Sequence, residues 1–294
     1  MNVIDCKAIR SKMIEEAKRE VESIQKKLYL TIIQVGNDDA SSLYVKNKEK
    51  TCREVGIEPN IVRFPQDATF EQIADEIIAY GQIDCVTGIM LQLPLPDHLK
   101  DRQRDLIDLI PYQKDVDGLS SESIGRLWAG KRCITPATPT GILHILPDDL
   151  SGKSALIIGR SDLVGKPMIK LLLDRNASVS VCHSKSTTYQ IDEQIEHSNI
   201  VISAIGKPRY ICASRFINMW KYDNVEYWID VGMNRDENGK LCGDINMWDV
   251  DYMCVQSTRI TPVPGGVGQL TTAQLILNVI QAYHIQTEDE RIVL

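Results

Sequence analysis

The sequence predicts an α/β protein of two domains, each built around a parallel sheet, and three observations support this prediction. The chain has 294 residues, more than one minimal core requires. Short apolar runs alternate with helical patterns in both halves, which is typical of βαβ units. A stretch rich in Pro, Thr and Gly at residues 134–141 separates the two series, and we place the domain junction there.

The order of elements within each series follows from the apolar pattern. The first series has a helix at residues 8–25, a strand at 28–35, a polar helix from about residue 42, and a strand at 86–93. The second has buried parallel strands at residues 154–159, 179–182, 200–204 and 227–231. A last helix at about 271–284 follows a glycine-rich segment and can return to the first domain.

Composition and charge exclude several classes of function. With 43% hydrophobic and 25% charged residues the chain is an ordinary globular protein, and a net charge of −7 argues against a nucleic-acid partner. Charges interrupt the first 25 residues, and no apolar run approaches the roughly 18 residues of a membrane span. The eight cysteines form no C-x-x-C pair and no tight cluster with histidines. We therefore expect a cytoplasmic protein with reduced cysteines, no membrane partner and no metal site.

A candidate phosphate-binding turn runs from Gly159 to Gly165, between an apolar strand and a helical pattern. Helix N-termini attract phosphate through their free N–H groups. The two glycines are spaced six apart, one more than the outer glycines of G-x-G-x-x-G, and the middle glycine is missing. An ordinary strand-to-helix turn would also explain them.

The end of the next strand indicates which dinucleotide binds. Enzymes that use NAD usually place Asp or Glu there for the ribose 2′-hydroxyl, whereas this chain has His183, Ser184, Lys185 and Ser186. With no carboxylate to repel it, a 2′-phosphate could be held by Arg160, Ser184 and Lys185. NADP is therefore favoured, although Arg160 and Lys185 could instead be solvated surface cations.

The polar helix carries a lysine on its apolar side. On a helical wheel Lys48 falls among Val45, Cys52 and Val55, close to Tyr44. A solvated lysine face would explain Lys46 and Lys50 but not Lys48, which could otherwise reach solvent from the edge of the stripe.

Two polar residues follow buried segments. Gln92 ends the apolar run at residues 86–93, and ligands bind at the carboxyl ends of parallel strands. Its side chain could accept a hydrogen bond from Lys48 without adding charge, or could simply satisfy a loop. Asp117 precedes Gly118, a pair that commonly forms a turn.

These motifs together resemble the bifunctional methylenetetrahydrofolate dehydrogenase/methenyltetrahydrofolate cyclohydrolase family over essentially the whole chain. The segments that carry the resemblance are 35–48 (VGNDDASSLYVKNK), 88–96 (GIMLQLPLP), 114–118 (KDVDG), 135–141 (TPATPTG), 159–167 (GRSDLVGKP), 182–186 (CHSKS) and 261–268 (TPVPGGVG). The resemblance implies a catalytic folate-binding domain at residues 1–140 to which the final helix, 270–294, returns. It also implies a Rossmann-type NADP-binding domain at 141–269, a folate cleft between the two domains, and a homodimer.

The resemblance also implies roles for single residues. Lys48 matches the catalytic lysine, Gln92 the amide that supports it, Tyr44 the aromatic that stacks on the substrate, and Asp117 the carboxylate that holds the pterin. Further substrate-lining positions are Leu93, Pro264, Gly265, Gly266 and Val267. The cofactor positions are Gly159, Arg160, Ser161, Val164, Gly165, His183, Ser184, Ile205 and Gly232.

Some positions depart from the family pattern. Gln269 and Leu270 stand where Pro-Met is common, and Ile205 stands where Thr is frequent. The segment 207–226, with Trp220 and Tyr222, has no functional interpretation. Two alternatives remain: a dehydrogenase that has lost the hydrolytic step, against which Lys48 and Gln92 argue, and a catalytically inactive nucleotide-binding regulatory protein.

Overall fold

The computed structural model describes residues 2–36, 39–214, 222–249 and 257–287. It confirms an α/β protein with two domains, because the chain divides into two compact units. The three-stranded unit comprises Ser11–Ala137 and Thr272–Leu294. The six-stranded unit comprises Met1–Arg10 and Thr138–Thr271. Within the ranges described, no helix is long and apolar enough to cross a membrane.

Strands of the described residues are numbered in chain order. They are β1 (Asn2–Val3), β2 (Tyr29–Val35), β3 (Glu58–Phe64), β4 (Gly88–Leu91), β5 (Ser154–Ile158), β6 (Ser178–Cys182), β7 (Ile200–Ser203), β8 (Tyr227–Asp230), β9 (Asn234–Arg235), β10 (Leu241–Cys242) and β11 (Arg259–Ile260).

Helices are numbered in the same way. They are α1 (Cys6–Ser23), α2 (Asp39–Val55), α3 (Phe70–Gln82), α4 (Gln103–Ile107), α5 (Ser121–Trp128), α6 (Ala137–Leu143), α7 (Gly165–Asp174), α8 (Thr188–Glu196) and α9 (Val267–Gln286), with a 3-10 helix at Asp97–Arg102.

The three-stranded unit has a parallel sheet in the order β3-β2-β4. Its central strand is an almost continuous apolar run because a parallel strand is covered on both faces, and Leu30, Ile32 and Ile33 are fully buried. The helix that follows β3, α3, starts with a capping box in which the Thr69 hydroxyl accepts from the Gln72 N–H. Its buried face packs onto the core of this sheet.

The final helix, from Thr272 onward, belongs to the three-stranded unit. Asn278 is fully buried there, and its Nδ2 donates to the carbonyls of Val116 (2.8 Å) and Thr135 (2.9 Å). Since buried carbonyls need partners, this one amide satisfies two connecting segments of the unit.

The six-stranded unit has a parallel sheet in the order β1-β11-β8-β7-β5-β6. The strand order reverses at β5, which has β6 on one side and β7 on the other. The expected domain of residues 1–140 differs from the compact unit at its start, because Asn2 and Val3 pair with Arg259 and Ile260 of β11. Short strands at the chain start are difficult to assign from an apolar pattern, since two residues show no period.

Described residues of the segment 207–226 contribute to the core of the six-stranded unit. Tyr222 is 1% exposed, its ring centroid lies 5.9 Å from that of Trp228, and its hydroxyl donates to Asp192. Tyr222 therefore has a structural role as an aromatic core residue. Trp220 lies outside the described residues.

Candidate functional site

The apolar face of α2 is the side predicted from the wheel. Val45 and Cys52 are fully buried and Val55 is 3% exposed, whereas Lys46 is exposed. Lys48 is only partly exposed. The prediction that Lys48 points into the apolar stripe is thus confirmed, and the charged face carries Lys46 and Lys50.

Gln92 lies at the carboxyl end of β4 and contacts Lys48 directly. The Nζ of Lys48 donates to Oε1 of Gln92 at 2.9 Å, which is the predicted hydrogen bond. The amide is held at its other end, because Nε2 donates to the Leu93 carbonyl at 2.6 Å. The backbone N–H of Gln92 donates to Ile33 of β2 at 2.8 Å. The acceptor oxygen is therefore oriented toward the lysine by the sheet itself.

Burial lowers the pKa of Lys48 below that of an ordinary lysine. The nearby carboxylate of Asp117 and the Cys52 thiol act in the opposite direction, and their effect is smaller than that of desolvation. A neutral amide as hydrogen-bond partner does not stabilise the ammonium form as a carboxylate would. Lys48 is thereby more easily deprotonated than a surface lysine.

Asp117 lies in a tight turn and also close enough to Lys48 for their charges to interact. The turn is closed by the Gly118 N–H donating to the Asp115 carbonyl at 3.0 Å, and Gly118 has a φ of 64°. Burial raises the pKa of Asp117 to about 6; Lys48 lowers it and Asp115 raises it. Asp117 is thus a turn residue whose carboxyl group is also electrostatically perturbed.

Sequence reasoning missed Asp115, which is 1% exposed. Its Oδ2 accepts from the Ser120 N–H and the Ser123 hydroxyl, both at 2.7 Å. This carboxylate anchors the turn before α5. The signal in the sequence was the S-x-x-S spacing that follows the turn, which here is the helix cap.

Tyr44 lies one helical turn before Lys48, so the two side chains share one face of α2. Tyr44 is 38% exposed, and Leu93 is partly buried. The three-stranded unit therefore brings together five predicted residues: Tyr44, Lys48, Gln92, Leu93 and Asp117.

The turn after β5 has no room for side chains at its two glycines. A Cβ at Gly159, whose φ is 146°, would lie 2.5 Å from the Ala204 carbonyl oxygen. A Cβ at Gly165 would lie 2.4 Å from the carbonyl oxygen of Gly159. The start of α7 thus packs directly on the end of β5, which is the close approach that a phosphate-binding turn needs. Ser161 stands at the position of the missing middle glycine, and its hydroxyl accepts a hydrogen bond from the Val164 N–H at 3.2 Å.

Exposed polar and cationic groups lie at the ends of β5 and β6. Arg160, Ser184 and Lys185 are exposed, and Arg160 makes no ion pair with any described residue. The two strand ends are joined because Gly159 donates its N–H to the Cys182 carbonyl at 2.9 Å. His183 shapes the turn, since its Nδ1 accepts from the Lys185 N–H at 3.2 Å. No carboxylate follows β6 directly, so the site can accept a phosphate.

The glycine-rich loop before α9 belongs to the six-stranded unit. Pro264 and Gly265 are exposed, and Gly265 has a φ of 95°. Gly266 is buried, and a Cβ there would lie 2.1 Å from the Pro262 carbonyl oxygen. Val267 begins α9 and is 3% exposed, so its side chain lies in the core.

The three residues that depart from the family pattern differ in how far they are buried. Leu270 is fully buried, whereas Gln269 is exposed. Ile205 follows β7, where it is partly buried, and its backbone N–H donates to Asp244 at 2.8 Å. A Cβ at Gly232 would lie 2.3 Å from Oδ1 of the same carboxylate. Sequence reasoning missed Asp244, although an acidic residue after Gly243 in an otherwise apolar context was a usable signal.

Comparisons with known proteins match both units. Residues 4–117 match the tetrahydrofolate dehydrogenase/cyclohydrolase catalytic domain, and residues 136–287 match the NAD(P)-binding domain of the same family. A relative from Agathobacter rectalis, bifunctional protein FolD, is 42% identical over 96% of this chain and 98% of its own length.

Two solved structures are similar to this chain over nearly its whole length. The bifunctional enzyme FolD, a methylenetetrahydrofolate dehydrogenase/cyclohydrolase from Campylobacter jejuni, is 35% identical, with a TM-score of 0.85 over 97% of this chain and 99% of that one. A Trypanosoma brucei methylenetetrahydrofolate dehydrogenase-cyclohydrolase complexed with NADP and an inhibitor is 27% identical, with a TM-score of 0.82 over 99% of this chain and 98% of that one.

We expect the Asp117 carboxyl carbon to titrate near pH 6 in the folded protein, because burial disfavours its charged form. In Lys48→Met the pKa of Asp117 should rise further, since the cation that lowers it is removed. The measurement is a ¹³C NMR titration of labelled aspartate, with the signal assigned through Asp117→Asn. The folded state binds this proton more tightly than the unfolded chain does. Its contribution to the free energy of unfolding is therefore present below about pH 4 and is lost as pH rises through about 6.

The matched control is Lys46→Met, which removes a cation from the exposed face of the same helix. It should leave the Asp117 titration unchanged. An Asp117 pKa that moved equally in both variants, or in neither, would contradict the pairing of Asp117 with Lys48.

Proposed function

The chain belongs to the tetrahydrofolate dehydrogenase/cyclohydrolase family, and from this we propose that it is a bifunctional folate enzyme. It oxidises 5,10-methylenetetrahydrofolate to 5,10-methenyltetrahydrofolate with NADP. It then hydrolyses the methenyl product to 10-formyltetrahydrofolate.

The observation that carries the hydrolytic half is the hydrogen bond from Lys48 to Gln92. The methenyl substrate is a cation, so an ammonium group beside it would be repelled, and binding would favour the neutral amine further. The Gln92 oxygen can accept a hydrogen bond from either form of the lysine. The amine therefore keeps its position whether or not it carries the extra proton.

The hydrolysis requires two proton movements near one carbon. Water adds to the methenyl carbon, and the neutral Lys48 amine accepts one proton from it. The ring nitrogen that then leaves this carbon gains a proton, which the Lys48 ammonium supplies. The remaining hydroxyl proton passes to solvent as the formyl C=O forms. A group whose pKa lies closer to neutrality than 10.4 serves both steps better.

The six-stranded unit fits the cofactor. The backbone at Gly159 and Gly165 leaves no space for side chains, and exposed Arg160, Ser184 and Lys185 can pair with the 2′-phosphate. Bound there, NADP⁺ would supply the hydride acceptor for the methylene carbon of the substrate. This step transfers no proton to a side chain, so it depends on positioning more than on acid–base groups.

We assign folate binding to Tyr44, Gln92, Leu93 and Asp117 of the three-stranded unit. Tyr44 shares a helix face with Lys48 and exposes a ring that can stack on the aminobenzoyl group. Asp117 can accept hydrogen bonds from the pterin amino group and ring N–H. We add the loop Pro264–Val267 of the six-stranded unit to the substrate-binding positions; its exposed members are Pro264 and Gly265.

Two alternatives make distinct predictions. A dehydrogenase without hydrolysis would have no use for a lysine that is both buried and aligned by an amide. A catalytically inactive regulatory protein would bind NADP without turnover. The geometry at Lys48 and Gln92 favours the bifunctional enzyme over both.

We further propose that the enzyme is a cytoplasmic homodimer, a proposal supported by the family resemblance. Light scattering after gel filtration should give about twice the 33.1 kDa of one chain. A mass of one chain at micromolar concentration would contradict the dimer.

A coupled assay tests the proposed function. With methylenetetrahydrofolate and NADP⁺, NADPH formation and methenyl decay are followed at separate wavelengths. The bifunctional enzyme forms NADPH without accumulating the methenyl compound. A dehydrogenase alone accumulates it, and an inactive protein gives neither signal.

In this assay we expect Lys48→Met to lose at least about a hundredfold of the hydrolysis rate, the usual contribution of an acid–base group. NADPH formation should survive at a reduced level, so methenyltetrahydrofolate accumulates. Gln92→Ala should have the same kind of effect as Lys48→Met, with hydrolysis lowered more than NADPH formation. The reason is that it leaves the Lys48 amine without its hydrogen-bond acceptor.

The control is again Lys46→Met, on the exposed face of α2, which should retain both rates. Lys48 would be a structural lysine if Lys48→Met hydrolysed the methenyl substrate at the unmodified rate. The same conclusion would follow if the variant lost both activities together with NADP binding.

We also expect kcat/KM to be at least about tenfold higher with NADP than with NAD, about 1.4 kcal/mol. Arg160→Ala should reduce that preference, since it removes a cation from the 2′-phosphate. Lys153→Ala is the matched control. Lys153 lies directly before β5, at the amino ends of the parallel strands, and pairs there with Glu226. Equal use of NAD by the unmodified enzyme would overturn the NADP assignment.

A further inference from the structure

Two carboxylates are buried at the carboxyl edge of the six-stranded sheet. Asp230 ends β8 and is 2% exposed, and Asp244 follows β10 and is fully buried. Neither forms an ion pair with any residue that the structure describes. A buried carboxylate without a cation is costly unless hydrogen bonds replace its hydration, so the partners of these two groups decide what they do.

Asp230 holds the backbone around Asp244. Its Oδ1 accepts from the N–H of Asp244 at 3.0 Å and from that of Gly232 at 2.9 Å, and its Oδ2 accepts from the Ile245 N–H at 2.9 Å. A Cβ at Gly243 would lie 1.9 Å from Oδ2, so only glycine allows this approach. Burial raises the pKa of Asp230 to about 7, and the charge of Asp244 adds to that effect.

Asp244 in turn holds the turn that follows β7. Its two oxygens accept from three successive backbone N–H groups, those of Ile205 (2.8 Å), Gly206 (3.2 Å) and Lys207 (3.0 Å). They also accept from the Ser203 hydroxyl at 3.1 Å and from Nδ2 of Asn234 at 2.9 Å. Five donors converge on one side chain, so the shape of the turn at residues 203–207 depends on this carboxylate.

The sheet order says which half of a dinucleotide this turn would face. A dinucleotide binds across the point where the strand order reverses, which here lies between β5 and β7. The candidate 2′-phosphate groups Arg160 and Ser184 follow β5 and β6, on the adenosine side. The turn after β7 lies on the other side of that point, where the nicotinamide half would extend.

We propose that Asp244 is a positioning residue for the nicotinamide half of the cofactor, acting through the turn at residues 203–207 and through Gly232. The proposal rests on the proposed function, because it presumes that NADP binds to this sheet edge. Asp244 itself is too buried to contact the cofactor. It supplies the acceptors that keep Ile205 and Gly206 in one conformation.

The chemistry of the substitution makes the proposal testable. In Asp244→Asn, one oxygen is replaced by an NH₂ group, which donates and cannot accept. The new donor faces backbone N–H groups that have lost their acceptor, a buried and unfavourable arrangement. The turn after β7 should therefore relax, while the hydrogen bonds within the turns after β5 and β6 do not involve Asp244 and should be kept.

The experiment compares two ligands by calorimetry in the full chain: NADP⁺ and 2′,5′-ADP, which carries the 2′-phosphate but no nicotinamide. In Asp244→Asn, affinity for NADP⁺ should fall at least about tenfold, the effect of losing one hydrogen bond to a charged group. Affinity for 2′,5′-ADP should stay within about twofold. The kcat for NADPH formation should also fall, while hydrolysis of added methenyltetrahydrofolate is retained.

Two further variants keep the test decisive. Asp149→Asn is the matched control. Asp149 also accepts a hydrogen bond from a backbone N–H, that of Ser151, but it precedes β5, at the amino ends of the strands. It should alter neither affinity. If Asp244→Asn does not fold, Ser203→Ala removes one donor to the same carboxylate and should weaken NADP⁺ binding in the same direction by a smaller factor.

The outcomes separate the explanations. Equal loss of affinity for both ligands would overturn the proposal, because Asp244 would then stabilise the whole unit. Unchanged NADP⁺ affinity and turnover in a folded Asp244→Asn would overturn it as well. Failure of the proposed function appears differently: the unmodified chain would then bind neither ligand, and both proposals would be wrong.

Discussion

The hydrogen bond between Lys48 and Gln92 is the interaction on which the candidate active site depends. It joins the apolar face of α2 to the end of β4 at 2.9 Å, and it does so without a negative charge. The amine is desolvated by its surroundings, and among the residues that the structure describes it forms no ion pair that would fix it as an ammonium. A carboxylate at residue 92 would hold the lysine as well, but it would raise the pKa that burial lowers.

The position of the lysine is set by several independent contacts around it. Val45 and Cys52 fix the rotation of α2, and the Gln34 amide of β2 donates to the Ser42 hydroxyl near the start of that helix at 3.1 Å. The Gln92 backbone N–H donates to the Ile33 carbonyl of the same sheet. The proposed catalytic lysine thus stands on a helix, and its partner Gln92 directly follows a strand, an arrangement that keeps their geometry precise.

The six-stranded unit is subject to a different constraint. The ends of its strands must lie very close to one another and to a ligand. Glycines at 159, 165, 232 and 243 remove the side chains that would prevent this approach. The carboxylates of Asp230 and Asp244 accept hydrogen bonds from backbone N–H groups that would otherwise lack partners. Close packing and internal hydrogen bonding thus satisfy the backbone groups at the ends of β7 and β8.

Much of this could be predicted from the sequence because it rests on local patterns. The apolar period placed Lys48 on the inner face of α2, and the strand–glycine–helix order located the turn at Gly159. The two-residue strand β1 could not be predicted, since its partner β11 lies more than 250 residues away and neither has a period. The pKa of Asp117 could not be predicted either, because it depends on burial and on its distance from Lys48.

The sequence by itself determined the fold class, the family, and the residue types available for chemistry, since each of these follows from spacing along the chain. Only the tertiary structure decided which groups act on one another. It brings Lys48, Gln92 and Asp117 together from three separate segments, and it places Asp244 beneath a turn about 40 residues earlier in the chain. The physical reason is that desolvation and hydrogen bonding depend on distances in space, which the spacing of residues along the chain does not contain.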